Sequence, residues 1–284
     1  MPGDIINESR KHKLIRNLVA GHQRVMSTKA QHFRKKVREN VKNVIHYIDR
    51  NYVLRENDKA VKPSQQKICM FCGSSETITK EHIIPRWVFS KNTKAFFTVN
   101  LNGLDQSYNK ATIPACAKCN AELLNDLEKT IQGLFENRDV ATDPFEWDET
   151  QEIIRWLELI DYKFQVYNIT RKFLVRKNAE KVDYLMDFPL YMLLQNKDYS
   201  PFQVLSAIRR ALKRLSVAKK YNRLNSLVVF KTSNKGFHFF HTIEEFIFLE
   251  FPQYQIALFY FFKEEFDTTE DAHKADMEII KKVY

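Results

Sequence analysis

Between positions 14 and 48, Leu14, Leu18, Val25, Phe33, Val37, Val41, Ile45 and Ile48 recur mostly at steps of three, four or seven. That is the period of an α-helix with one apolar stripe, with Gly21 a candidate break. Arg34, Lys35, Arg38 and Lys42 fall largely off the stripe, so a helix here can pack on the body and present cations outward. "VKPSQQK" at 61–67 reads as a linker. From 68 to 135 the texture changes to short strand-like pieces and four cysteines, ending in the helical "AELLNDLEKTIQGLF" at 121–135. "NRDVATDP" at 137–144 is a second loop. "EIIRWLELIDYKFQVY" at 152–167 puts Ile153, Trp156, Leu157 and Ile160 on one helical face. "FQVLSAIRRALKRLSVAKKYNRL" at 202–224 predicts another helix, basic on its outer side. "SLVVFKT", "GFHFFHT" and "YQIALFYFF" then predict strands, and "SNKG" at 233–236 fits a hairpin connection. The pattern divides the chain into a helical arm (1–62), a cysteine-bearing module (63–140) and a segment of helices followed by an antiparallel sheet (141–284). The fold class is α+β.

Composition places the chain among globular proteins, at 44% hydrophobic and 28% charged residues, and excludes a disordered chain. The longest apolar stretch, "IALFYFF" at 256–262, is far short of the roughly 20 residues that span a bilayer. No apolar run follows the initial Met. A cytoplasmic protein with no membrane association is expected. The net charge of +10 is unevenly spread: residues 1–62 hold 15 Lys/Arg against 6 Asp/Glu. Such an arm suits a polyanionic partner, nucleic acid first and a membrane surface second; a solvated basic helix face is the bland reading.

All four cysteines fall in two Cys-x-x-Cys pairs, Cys69/Cys72 and Cys116/Cys119. Two-residue spacing lets both thiolates of a pair face one ion, and two pairs supply the tetrahedral sulfur set of a structural Zn²⁺. Disulfides compete with this reading, but a cytosolic chain disfavours them, and two pairs in one segment argue against a redox motif. With four protein ligands the zinc holds the fold and does no chemistry.

Inside the loop that such an ion would close lies "EHIIPRWVF", from Glu81 to Phe89, and Asn120 directly follows Cys119. Closing the knuckles brings Asn120 towards the strand of His82, where a carboxylate and an amide oxygen can share a hard divalent cation beside an imidazole. In order, "CMFC", "EHIIP" and "CAKCN" resemble the HNH endonuclease family, the ββα-metal nucleases with zinc knuckles. The resemblance covers residues 68–135. It implies a zinc-stabilised ββα module flanked by the basic arm and the C-terminal helix-plus-sheet segment. It makes His82 the general base that activates water, and Glu81 and Asn120 ligands of a catalytic Mg²⁺ or Mn²⁺. The expected substrate is nucleic acid, double-stranded DNA first, with Arg34, Lys35, Arg38 and Lys42 on its phosphates. A restriction or phage-defence setting, and a regulatory partner on the C-terminal segment, are further implications of the resemblance.

The chain departs from the family pattern twice. The middle Asn that braces the loop of the base falls at Ala111, with Asn109 two residues earlier as the candidate substitute. The helix position that carries a third metal histidine in some relatives is Leu124. Trp87 reads as a core anchor and Glu128 as a helix-surface acid; His238 and His241 read as structural, and His12, His22, His32 and His46 lie at no metal-ligand spacing. The rival class is a zinc-ribbon nucleic-acid-binding or partner-binding protein without catalysis, which needs the cysteines and the arm but not Glu81, His82 or Asn120.

Overall fold

The computed structural model describes residues 31–53, 66–89, 99–101, 104–106, 111–136, 138–172, 201–217, 221–235, 237–242 and 244–283. Asn109, Leu14, Leu18, Gly21, Val25, His12, His22 and most of the 61–67 linker lie outside them. Among the described residues the architecture is α+β with antiparallel strands. None of their helices is long and apolar enough to cross a membrane.

Helix α1 covers 31–48 and runs into a π-type turn at Asp49–Val53. Within the described part of its predicted stripe, Val37, Ile45 and Ile48 are in the core and Phe33 and Val41 partly buried; Val44, outside that stripe, is also buried, while Lys35, Arg38 and Lys42 are exposed. Strand β1 (Ile78–His82) pairs antiparallel with β4 (Thr112–Cys116), and a small hairpin of β2 (Val99–Leu101) and β3 (Leu104–Gln106) lies between them in sequence. After β4 the chain turns through the π-type segment Lys118–Leu124 into helix α2 (Asn125–Phe135). Short strands followed by a helix are what the pattern at 68–135 predicts.

Helix α3 (Trp147–Lys172) is the centre of the molecule. A one-faced helix would leave half its residues in water. Here Ile153, Ile154, Trp156, Leu157, Leu159, Ile160, Tyr162, Phe164, Val166 and Tyr167 are all buried. Two apolar faces force the residues between them inside as well. Asp161 is therefore fully buried and has to be paired: it bonds His241 Nε2 at 2.7 Å, Arg214 at 2.7 Å and Gln165 Nε2 at 2.6 Å. Arg214 also reaches Glu244, which Arg210 holds with both its Nε and NH2 groups. Removing one member of a buried ion network leaves the others uncompensated, typically at 3–5 kcal/mol. Asp161→Ala should lower the denaturant midpoint by an amount equivalent to roughly that figure, without altering metal content.

Helix α4 (Pro201–Leu215) packs on α3; it stops at Leu215, earlier than the pattern at 202–224 predicts, and residues 221–226 form a separate short turn. Strands β5 (Leu227–Lys231), β6 (His238–Thr242), β7 (Phe246–Phe251) and β8 (Ile256–Phe261) form one antiparallel sheet in the order β5-β8-β7-β6. The "SNKG" segment is therefore not a hairpin turn, because β5 pairs with β8 and β6 with β7. The reason lies in burial. β7 and β8 are buried along their whole length, so they take the centre, and the more polar β5 and β6 fall to the edges. On β8, Ile256, Leu258 and Tyr260 face the helical core while Ala257, Phe259 and Phe261 face the opposite side. That second face is covered by helix α5 (Thr269–Val283), capped at its start by Thr268 Oγ1 accepting from Asp271 N at 3.1 Å. One continuous cluster of buried side chains runs from Val37 on α1 to Phe262 after β8, so all three segments of the chain contribute to a single core.

Candidate functional site

The four thiols converge. The Sγ atoms of Cys69, Cys72, Cys116 and Cys119 all lie within 4.8 Å of one another, with Cys72 and Cys116 at 3.7 Å. A tetrahedral ion with bonds of about 2.3 Å has sulfurs about 3.8 Å apart, so the set fits an ion such as zinc. Local backbone builds each half. Gly73, at φ +70°, closes the first turn, with its N–H on Cys69 O at 2.9 Å and Cys69 N on Ser74 O at 2.7 Å. A side chain there would be strained whatever the space. In the second half, Cys119 N donates to Cys116 Sγ at 3.4 Å. Neighbouring Cys69 and Cys72, and then burial, push the Cys119 thiol far above its ordinary range. Four thiolates in this space need a cation between them.

β1 leads from this cluster to the pair that opens "EHIIPRWVF". Glu81 and His82 are consecutive in a strand and so point to opposite faces. Glu81 is buried and His82 half-buried. Burial lowers the His82 pKa; Glu81 raises it, while Arg86 and Lys163 lower it further. Burial therefore favours the neutral imidazole, the form that can accept a proton. The apolar run that follows is the anchor for this end of the strand. Ile83, Ile84 and Val88 are buried, and Trp87 stacks on Trp156 at 5.5 Å and on Phe251 at 6.2 Å between ring centres. Gln253 Nε2 donates to Val88 O at 2.9 Å. Trp87 is a core anchor, as its setting in the sequence predicts.

Asn120 sits on the Glu81 side of β1. Its Nδ2 donates to Thr79 Oγ1 at 3.0 Å and to Lys80 O at 3.3 Å. With the nitrogen committed to the strand, Oδ1 is the atom left to offer a cation. Asn120 is thus bonded to the strand that Glu81 and His82 close, with those two side chains on its opposite faces. Asn109 cannot be placed, being outside the described residues.

Two residues beside Glu81, a partner and a second carboxylate that shares it, have no counterpart in the sequence reading. Lys163, fully buried on α3, sends its ammonium to the Glu81 carboxylate, to His82 O at 3.0 Å and to Glu128 Oε1 at 3.5 Å. Burial alone would lower the Lys163 pKa, but Glu81 and Glu128 outweigh it, so the net direction is upward and the ammonium keeps its charge. Glu128, read from sequence as a helix-surface acid, instead turns inward; burial pushes its pKa up to about 7, against the pull of Lys163. The neighbouring Tyr162 donates its hydroxyl to Met70 O and packs on Phe71, which in turn meets Phe33 of α1. Helix α3 therefore grips both the first knuckle and the Glu81 end of β1.

The four arm cations are not equivalent. Arg34 is half-buried, its pKa lowered by burial and then by Arg155, with Glu152 pulling the other way. Lys35 lies 3.8 Å from Glu39, and Arg38 donates to Ser216 O at 3.0 Å, where α4 ends. Arg209 and Lys213 of α4 are also exposed.

Comparison with family models, with curated proteins and with solved structures returns no match.

Proposed function

We propose that this chain is an endonuclease of the HNH type that hydrolyses DNA phosphodiester bonds. The reading is carried by one observation: the β1–β4 pair and the helix after it start from the cysteine cluster, and Asn120, directly after Cys119, is bonded to Thr79 and Lys80 of β1, the strand whose last two residues are Glu81 and His82. Zn²⁺ in the four-thiolate set would be structural. His82, neutral and half-buried, takes the proton of the attacking water. Glu81 and Asn120 offer a hard cation at most one carboxylate and one amide oxygen, a set that suits Mg²⁺ or Mn²⁺ retaining most of its waters and sharing the scissile phosphate. When bound, such an ion supplies charge stabilisation at the phosphate and the departing oxygen. The experiment is a nicking assay on supercoiled DNA with and without Mg²⁺ or Mn²⁺, in parallel with linear duplex and single strands; no cleavage of any of them sinks the reading.

A second reading has one observation behind it. The Glu81 carboxylate already faces an ammonium, as it would in a module that binds nucleic acid without cutting it. Both readings share the basic surface. Replacing Lys35, Arg38 and Lys42 by Gln should weaken binding uniformly across sequences and flatten the slope of log K against log salt by up to about three units. An unchanged slope would make them an ordinary solvated face.

A further inference from the structure

Fully buried lysines are rare, and Lys163 is buried with each of its three N–H groups directed at an acceptor on or beside the site: the Glu81 carboxylate, His82 O and Glu128 Oε1. Nothing in the local chemistry of α3 calls for a cation there. What calls for it is a pair of carboxylates from two different elements, β1 and α2, turned towards one point in the interior. That is the arrangement in which proteins commonly place a metal ion, and here a side chain supplies the charge.

We propose that Lys163 is the resident cation of this site, so that a divalent ion reaches Glu81 only against the ammonium and is recruited together with a nucleic-acid phosphate rather than held in advance. The inference rests on the nuclease reading for its functional meaning. Its physical core, competition between one ammonium and one divalent ion for Glu81, stands without it. Lys163 is a positioning residue: it orients the Glu81 carboxylate, ties the backbone at His82 to α3, and offsets the negative charge that would otherwise attract metal. The phosphate that arrives with substrate restores that negative charge beside Glu81, and the affinity for the ion with it. Metal loading then depends on substrate, which keeps a hydrolytic centre empty between encounters.

The test is Mn²⁺ binding to the full chain without nucleic acid, followed by the loss of the free-ion EPR signal, with zinc content and melting temperature as controls. Lys163→Met removes the charge and keeps most of the length, leaving Glu81 and Glu128 to share a cavity. It should gain a Mn²⁺ site at least about tenfold tighter than any in the wild type, since one buried unit charge moves affinity by an order of magnitude or more. The gain should vanish in Lys163→Met/Glu81→Gln. A folded Lys163→Met with wild-type Mn²⁺ affinity overturns the proposal. Should that variant not fold, wild-type protein decides: paramagnetic broadening by substoichiometric Mn²⁺ centred on Glu81 and Asn120 overturns it, and broadening spread over exposed acids supports it. None of these readouts involves cleavage. A chain that cuts no DNA yet shows the Mn²⁺ gain keeps this inference and loses the nuclease reading, and the reverse result separates them equally well.

Discussion

His82→Ala is expected to lower the rate of DNA cleavage by about 10²–10⁴-fold while leaving zinc content, melting temperature and DNA binding close to wild type. The separation follows from how the residue is placed. Its backbone carbonyl is held by Lys163 and the run after it is anchored by Ile83, Ile84 and Trp87, and these holds on the strand stay in place when the imidazole is removed. The pH dependence has a definite sign. A general base works as neutral imidazole, and burial lowers its pKa from the ordinary 6.5. The ascending limb of rate against pH should therefore lie below that of a free histidine, and the limb should be lost in His82→Ala. Asn120→Ala is the matching probe of the metal: its residual activity should respond to raised Mg²⁺ or to Mn²⁺, and that of His82→Ala should not. Glu81→Ala is a poorer probe, because it leaves the buried Lys163 without its closest counter-charge and so costs stability as well. Wild-type cleavage by a folded His82→Ala would hand the site to the non-catalytic reading.

What could be read from sequence was what is local. A Cys-x-x-Cys pair, a strand end and a helix start are each set by neighbours within a few residues, and these were enough to foresee the clustered cysteines and the helix that follows them. Lys163 and Glu128 carry no local signal: a lysine or glutamate in a helical pattern reads as solvated. The clue was the density of the pattern. Residues 153–169 hold too many large apolar side chains for one face, which means that whatever lies between them is inside too. The same clue lies in "FIFLEF" at 246–251, apolar at nearly every position. A strand without alternation is covered on both faces, so it demands a second layer, and that layer is α5, which the reading of the last third as sheet alone did not include. Strand order escaped for a different reason: which strands take the centre is decided by total burial across the sheet, not by the turn residues at 233–236.

Cys119→Ser, or removal of metal by a strong chelator, should produce the largest loss of stability of any change considered. Cys119 is fully buried, and its Sγ sits among three others within 4.8 Å. Metal-binding free energy in such sites is folding free energy, on the order of 10 kcal/mol or more for structural zinc near neutral pH. The consequences should extend past the knuckles. Met70 and Phe71, which lie between the first two thiols, are the surface on which Tyr162 of α3 and Phe33 of α1 pack. Loss of the ion therefore removes the seat of two helices and, through α3, the partner of Glu81. The sign with pH is fixed by the ligands. Each must be a thiolate to bind, so protons compete with the ion, and zinc should be released as pH falls, with the melting temperature dropping in step. The measurement is zinc release against pH with a chromogenic chelator, alongside thermal unfolding of wild type and Cys119→Ser. Purified protein that contains no zinc, or whose cysteines are paired as disulfides, would remove the frame on which the proposed roles of Glu81, His82 and Asn120 rest.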